Sequence, residues 1–147
     1  MLNQKFVIEG GKKLSGEINI QGAKNSSLPI IAASLMCSGE TVLKNCPALS
    51  DTYASCRILT HLGCECRFCG NTLSVKSGGL NSCSIPDELM REMRSSIIYM
   101  GALLGAVGKC SLSFPGGCEL GPRPIDMHLS AVRKMGVSVN DEYGAIE

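Results

Sequence analysis

The sequence has few aromatic residues and no excess of charge of either sign. It contains no Trp, three Tyr and three Phe in 147 residues, and its 14 Lys and Arg nearly balance its 13 Asp and Glu. A nucleic-acid-binding surface needs a basic field and flat rings on which bases stack, so this composition argues against a nucleic acid partner. The same balance of charge gives no attraction to an anionic membrane surface.

Long apolar runs are also lacking. The run Leu28–Met36 is too short to cross a bilayer, and the N-terminus lacks a basic segment followed by an apolar stretch and a cleavage site. We therefore expect a cytoplasmic protein with no membrane partner. The nine Cys are an odd number at irregular spacings, which favours reduced thiols over a disulfide framework.

The positions of Gly and Pro divide the chain into short segments that predict an α/β fold. The expected elements of the first half are strands at 6–9 and 17–20, a helix at 25–36, a strand at 42–46, a helix that is capped by Ser50-Asp51 and runs to 63, and a hairpin at 64–76 around Gly70-Asn71. The expected elements of the second half are a helix at 86–107, a strand at 109–114, a helix at 124–135 and a hairpin at 137–147.

The second half repeats the order of the first. Asn25-Ser26-Ser27 lies 69 positions before Arg94-Ser95-Ser96, and Gly39 lies at the same offset from Gly108. The second copy has five additional residues between its strand and its helix, and these include Gly116-Gly117-Cys118. Because loops carry chemistry while the repeated elements carry packing, we expect the functional group in this loop.

The loop from Pro115 to Pro124 joins a strand to a helix and holds Cys118 among three glycines. Glycine permits backbone conformations that turn amides toward an anion, and Arg123 precedes the positive end of the helix. A thiol in such surroundings is expected to act as a nucleophile or an acid. A surface turn with an incidental Cys is the alternative. His128, in the helix, is expected to be structural or to support the site.

Lys24 and Asn25 precede the first helix, and Arg94 has the equivalent position in the second repeat. Helix starts with a nearby Lys or a bidentate Arg bind phosphoryl oxygens well, so we predict phosphate binding there. Solvated surface charges are the alternative interpretation.

A zinc site is a further possibility. Cys64, Cys66 and Cys69 lie close together in the sequence, with Cys56 or Cys83 as a fourth ligand. The spacing lacks the usual two pairs of ligands, and the three thiols fall on one predicted strand and its turn. We therefore expect no metal.

Four segments together resemble the enolpyruvyl transferase family, and within it the UDP-N-acetylglucosamine 1-carboxyvinyltransferases. The four segments are Gly22-Ala23-Lys24-Asn25, Met93-Arg94-Ser95-Ser96, Pro115-Gly116-Gly117-Cys118 and the stretch Gly121–His128. The resemblance covers essentially the whole chain, although Ile98 stands where many relatives have Trp. Family members are much longer, so the sequence is similar to their N-terminal part.

The resemblance implies an inside-out α/β barrel-type domain built from βαβαββ repeats. Two of its three repeats would be present, at about 22–83 and 84–147, while residues 1–21 would form a strand segment that packs on the other domain of the family. A fold truncated in this way would expose apolar surface, so self-association or marginal stability is expected.

The resemblance also implies transfer of the enolpyruvyl group of phosphoenolpyruvate to the 3-hydroxyl of UDP-N-acetylglucosamine, with release of phosphate and without a cofactor. This reaction is the first committed step of peptidoglycan synthesis. Cys118 would be the catalytic acid, and it matches the Cys that fosfomycin alkylates in relatives. The implied ligands of phosphoenolpyruvate are Lys24, Asn25 and Arg123; those of the UDP-sugar are Arg94, Arg123, Pro124, Ile125, Asp126 and Met127.

Two alternatives to this activity remain. One is an enzyme like 3-phosphoshikimate 1-carboxyvinyltransferase, and the other is a UDP-sugar-binding module without turnover. This part of the family's chain, taken alone, is expected to be inactive, because the family draws further charged groups from its second domain.

Overall fold

The computed structural model describes residues 5–115, 124–141 and 145–147, and their elements form a mixed α/β fold, as predicted. The first half contains α1 (Lys24–Ala33), β1 (Glu40–Leu43), α2 (Ser50–His61), β2 (Glu65–Cys69) and β3 (Thr72–Lys76). The second half contains β4 (Ser84–Ile85), α3 (Asp87–Glu92), α4 (Ile98–Val107), β5 (Ser111–Ser113), α5 (Asp126–Lys134) and β6 (Ala145–Ile146). Short 3-10 turns follow α1 at Ser34–Met36 and precede α4 at Arg94–Ile97. Within the described ranges, no helix is long and apolar enough to cross a membrane.

The sheet of the first half has β3 at its centre, with β1 and β2 antiparallel on its two sides. Val75 is opposite Thr41 on one neighbour and Cys66 on the other. Leu73 and Val75 are fully buried, and the residues between and beside them are more exposed, so β3 has the alternation of a strand with one face on the core. The predicted hairpin at 64–76 is confirmed.

The sheet of the second half has β5 at its centre, parallel to β4 and antiparallel to β6. Leu112 of β5 is opposite Ile85 and Ile146, and all three side chains are buried. Asn140 and Glu147 exchange two backbone hydrogen bonds of 2.7 and 2.8 Å, which extends the pairing of the C-terminal segment beyond β6.

The helices form a common interior in which α1 packs against both α2 and α4. Ile31 of α1, Ile58 of α2 and Leu103 of α4 are fully buried. The hydroxyl of Tyr99 in α4 donates to the carbonyl oxygen of Ser55 in α2 at 3.1 Å and lies 2.6 Å from the Ser55 hydroxyl. The two halves of the chain therefore share one core, with a buried polar link inside it.

Two predicted strands and one long helix do not form as expected. Residues 5–23 contain neither helix nor strand, and Phe6 and Ile8 are almost fully exposed because the described part of the chain offers them no partner. The single helix expected at 86–107 is interrupted at Met93, whose backbone is extended (φ −145°, ψ 149°). The packing of residues 1–21 on another domain and the boundaries of the repeats stay predictions.

The strands β1 and β4 differ from the predictions. β1 ends at Leu43 instead of 46, because Asn45 adopts a left-handed conformation with φ 54° and turns the chain toward Pro47. β4, only two residues long, was not predicted, because so short a segment carries no periodic pattern.

The C-terminal end of α2 is fixed by a close contact between two glycines. Gly63 has φ +100°, and a Cβ at this position would lie 2.2 Å from the carbonyl oxygen of Gly79. A Cβ on Gly79 would lie 2.4 Å from the carbonyl oxygen of Gly63. The amide of Asn81 then donates to the carbonyl of Leu62 at 3.0 Å. The contact holds the segment after β3 against the end of α2.

We expect Gly63→Ala to lower the free energy of unfolding by at least ~2 kcal/mol, because the substitution adds both a left-handed strain and a clash with backbone. Gly78→Ala is the matched control: nothing lies within 4 Å of a Cβ there. The control should stay within about 0.5 kcal/mol of the parent protein. Urea unfolding followed by circular dichroism measures both, and equal stabilities would contradict this account of the contact.

Candidate functional site

An open cleft of about 840 Å³ lies where the starts of α1 and α2 meet the segment between α3 and α4 and the start of α5. Its walls thus come from both halves of the chain. The lining residues are Lys24, Asn25, Leu28, Asp51, Arg91, Glu92, Met93, Arg94, Ser95, Ile97, Pro115, Pro124, Ile125 and His128.

Lys24 and Asn25 reach the cleft because the chain enters α1 through a tight backbone approach. A Cβ on Gly22 would lie 2.0 Å from the carbonyl oxygen of Asn45, so the approach requires glycine. Asn45 belongs to the turn between β1 and α2. The start of α1 is thereby held beside the turn that leads into α2.

Lys24 forms an ion pair across the cleft with Asp51, with 2.7 Å between Nζ and Oδ2. The Asp51 side chain is 20% exposed and the Lys24 side chain 46% exposed. We expected Ser50-Asp51 to cap α2, but the helix begins after Leu49, whose amide donates to Thr52 Oγ1 at 2.9 Å. The Asp51 carboxylate therefore lies in the first turn, where it pairs with Lys24 and benefits from the helix dipole.

Arg94 reaches the cleft because the chain breaks between α3 and α4. The extended backbone of Met93 ends α3, and the Ser96 hydroxyl, fully buried, donates to the carbonyl oxygen of Met90 at 2.7 Å. This hydrogen bond holds the 3-10 turn against the end of α3. The first residue of that turn is Arg94, and its side chain is exposed.

The charges on the cleft are three cations and two carboxylates. Lys24 pairs with Asp51, whereas the other two ion pairs join a cleft residue to a residue outside the lining: Arg91 to Asp87 at 2.6 Å, and Glu92 to Arg57. Across the described residues, no carboxylate forms an ion pair with Arg94. An anionic ligand would therefore find Arg94 available and Lys24 held by a carboxylate that it must displace.

The structure brings together several residues that the sequence identified. Five of them line the cleft: Lys24, Asn25, Arg94, Pro124 and Ile125. Asp126 and Met127 begin α5 beside the cleft without lining it, and Met127 is 76% exposed. Cys118 and Arg123 lie outside the described residues.

Some cleft residues were missed by sequence reasoning or given another role, among them Asp51, Arg91 and His128. Asp51 was expected to cap a helix, and Arg91 was not singled out because its i to i+4 spacing from Asp87 is typical of an ordinary helix surface. His128 lines the cleft, although it was expected to be structural or supporting. No local sequence pattern pairs Lys24 with Asp51, because the contact arises from the packing of α1 on α2.

The structure gives no support for a zinc site at Cys64, Cys66 and Cys69. Cys69 is exposed whereas Cys64 is buried, and burial raises the pKa of the Cys64 thiol to about 11, which disfavours the thiolate that zinc requires. In the described ranges, the His, Cys, Asp and Glu side chains form no group of three or more that could hold a metal ion.

Residues 8–147 match the model of the family described as EPSP synthase (3-phosphoshikimate 1-carboxyvinyltransferase). The chain belongs to the EPSP synthase family. It is similar to the crystal structure of the enolpyruvyl transferase NikO from Streptomyces tendae, with a TM-score of 0.77 over 93% of this chain and 30% of that one. At 24% identity this likeness shows the fold alone, and it confirms the predicted enolpyruvyl transferase fold.

Two relatives are much more similar to this chain in sequence than NikO is. The chain is 49% identical over 142 residues to UDP-N-acetylglucosamine 1-carboxyvinyltransferase 2 of Caldanaerobacter subterraneus subsp. tengcongensis, covering 97% of this chain and 34% of the relative. It is 43% identical over 150 residues to UDP-N-acetylglucosamine 1-carboxyvinyltransferase 1 of Symbiobacterium thermophilum, covering 99% and 34%. The chain thus spans about a third of the length of these curated relatives.

The ion pair in the cleft predicts how a substitution changes anion binding. Asp51→Asn removes the carboxylate that competes for Lys24, so we expect inorganic phosphate to bind about 2 to 5 times more tightly, as the loss of a partly exposed pair suggests. Isothermal titration calorimetry measures the affinity. Asp141→Asn is the control, since Asp141 pairs with Arg133 at 3.0 Å and neither lines the cleft. Unchanged or weaker binding in Asp51→Asn would contradict competition at Lys24.

Proposed function

We propose that the protein transfers the enolpyruvyl group of phosphoenolpyruvate to the 3-hydroxyl of UDP-N-acetylglucosamine and releases phosphate. The observation that carries the proposal is the cleft, in which Lys24, Asn25 and Arg94 meet the two prolines that flank the Cys118 segment. Pro115 and Pro124 both line the cleft, and the eight residues 116–123 connect them in the sequence. The names of the two relatives described above support this choice of substrates.

Phosphoenolpyruvate is assigned to the side of the cleft formed by Lys24 and Asn25. Its phosphate and carboxylate need a cation and hydrogen-bond donors, which an ammonium, an amide side chain and the first turn of α1 supply. The Lys24 ammonium exchanges the carboxylate of Asp51 for the phosphate when the ligand binds. Arg123 is assigned to the same anion on the basis of the family resemblance.

The UDP-sugar is assigned to the side formed by Arg94 and the start of α5. The Arg94 guanidinium is exposed on the cleft and suits the bidentate geometry of a diphosphate. Arg123 and the stretch 124–127 are the remaining proposed contacts. Pro124 and Ile125 line this wall, and Asp126 and Met127 follow them at the start of α5.

The reaction requires a proton at the methylene carbon of phosphoenolpyruvate. The sugar 3-hydroxyl adds to C2 while a proton is delivered to C3, and the sugar oxygen loses its own proton to a base. The resulting ketal then loses phosphate from C2 and a proton from C3, which restores the double bond in the enolpyruvyl ether. We assign proton delivery to the Cys118 thiol, which is an acid only while it is reduced.

We also propose that the protein acts in the cytoplasm and contributes to peptidoglycan synthesis. A reducing compartment keeps the Cys118 thiol free, and the eight described cysteines are likewise unpaired. Fosfomycin, whose epoxide a thiol opens, is expected to modify Cys118.

We expect Cys118→Ala to lower kcat by roughly 10²–10⁴-fold, which is the range typical of losing a general acid. Phosphate release from phosphoenolpyruvate and UDP-N-acetylglucosamine measures the rate. Cys69→Ala is the control, because Cys69 is an exposed thiol at the end of β2, away from the cleft lining. Equal losses in the two variants would mean that the thiol on the loop has no special role.

Arg94→Ala should raise the KM for UDP-N-acetylglucosamine by about tenfold or more, because a charge-assisted hydrogen bond is worth roughly 1.5–3 kcal/mol. The KM for phosphoenolpyruvate should change less. Arg133→Ala is the control on α5, away from the cleft lining. Turnover with shikimate 3-phosphate in place of the UDP-sugar would overturn the assignment of substrate, and UDP-sugar binding without phosphate release would favour a binding module.

A further inference from the structure

An ion pair beside the cleft joins α2 to the end of α3. Arg57 Nε donates to both carboxylate oxygens of Glu92, at 3.1 Å to Oε1 and 2.8 Å to Oε2, and a second guanidinium nitrogen donates to Oε2. The packing of α2 on α3 brings the two side chains within reach of each other. Arg57 is thus held on Glu92 by opposite charge and by the fork geometry that suits a carboxylate.

The two partners differ in their relation to the cleft. Glu92 lines it, whereas Arg57 does not. Glu92 is the last residue of α3, and one residue separates it from Arg94, which also lines the cleft. The wall that presents the Arg94 guanidinium therefore also carries a carboxylate. Because the Glu92 side chain is only 31% exposed, solvent screens this negative charge incompletely.

We propose that Arg57 is a positioning residue for anion binding: it neutralises Glu92 and thereby keeps Arg94 available to a diphosphate. The choice of a diphosphate as the ligand of Arg94 rests on the function proposed above. Without Arg57, the Glu92 carboxylate would repel an anionic ligand and offer Arg94 an alternative partner. Across the described residues, no carboxylate forms an ion pair with Arg94, as this account requires.

The two carboxylates of the cleft lining are neutralised in different ways. Asp51 pairs with Lys24, which is itself a cleft residue, so this pair occupies a cation that a ligand needs. Glu92 pairs with a cation from outside the lining. A guanidinium keeps its charge at any physiological pH, so Arg57 removes the effect of a carboxylate without occupying a cation of the cleft.

A purely structural ion pair would fasten α3 to α2 and leave ligand binding indifferent to the charge of Glu92. The two roles make opposite predictions for a double variant. If the pair only fastens the helices, removal of both partners is at least as harmful as removal of one. If Arg57 neutralises Glu92, loss of Arg57 is harmful only while Glu92 carries its charge, so removal of both charges restores binding.

The test uses inorganic pyrophosphate, which has the anionic chemistry of a diphosphate without a sugar or a base. We expect Arg57→Met to raise its Kd about 3- to 5-fold at low salt, the range expected for a partly exposed charge pair. The double variant Arg57→Met/Glu92→Gln should return the Kd to within about twofold of the parent value. Isothermal titration calorimetry measures both, and the increase in Arg57→Met should shrink at higher ionic strength.

Arg133→Met is the matched control, because it removes a cation from an ion pair of comparable exposure away from the cleft lining. Its Kd should equal that of the parent protein. Arg57→Lys keeps the charge and should also bind pyrophosphate as the parent does. Arg94→Ala should weaken binding, which shows that the probe occupies this wall of the cleft.

The proposal is overturned if the parent protein binds no pyrophosphate, if Arg57→Met binds it as tightly as the parent does, or if the double variant stays as weak as Arg57→Met. Glu92→Gln alone should bind at least as tightly as the parent, and weaker binding would contradict the proposal even if Arg57→Met did not fold. Failure of the proposed function is a separate result: it would appear as no phosphate release from phosphoenolpyruvate and UDP-N-acetylglucosamine, while the pyrophosphate titrations decide the role of Arg57.

Discussion

The cleft depends on the packing of α4 against α1, and through it on the contact between the two halves of the chain. One wall begins with Lys24 on α1, and the opposite wall begins with Arg94 just before α4. Buried apolar side chains supply most of the attraction between these helices, while the Tyr99–Ser55 hydrogen bond restricts how they can align. Burial raises the pKa of Tyr99, so its hydroxyl remains a donor at any physiological pH.

The pair of Lys24 with Asp51 gives the cleft a carboxylate where the proposed function requires a phosphate. A partly exposed pair of this kind contributes only about 0–1 kcal/mol, so a doubly charged ligand can displace it. In the absence of ligand, the same pair holds the Lys24 ammonium beside the Asp51 carboxylate. Asp51 therefore orders the site at small energetic cost to binding.

The sequence predicted those parts of the fold whose signals are local. The helix ended by Gly63 and the hairpin around Gly70-Asn71 follow from turn chemistry and alternation, and both were found. The break at Met93 was missed, because it depends on a buried hydrogen bond from Ser96 that no hydrophobic period reveals. The strands expected at 6–9 and 17–20 were wrong, since alternation indicates a strand only where another strand is present to pair with it.

The residues of the candidate site were likewise predictable only where the signal is local in the sequence. Lys24, Asn25 and Arg94 were found from their places at repeated helix starts, and the structure brings them to one cleft. Asp51 required knowledge of how α1 lies on α2, which depends on contacts between distant parts of the sequence. The roles of Cys118 and Arg123 come from their sequence context and the family resemblance, and they stay predictions.

The close contact between Gly63 and Gly79 restricts which substitutions can be accepted at these two positions during evolution. Each carbonyl oxygen occupies the space that a side chain on the other residue would need, so a change at one position has no remedy at the other. Substitution of both would add the two clashes together. Selection should therefore retain glycine at the two positions independently, and a lineage that lost either one would have to rebuild the connection from β3 to β4.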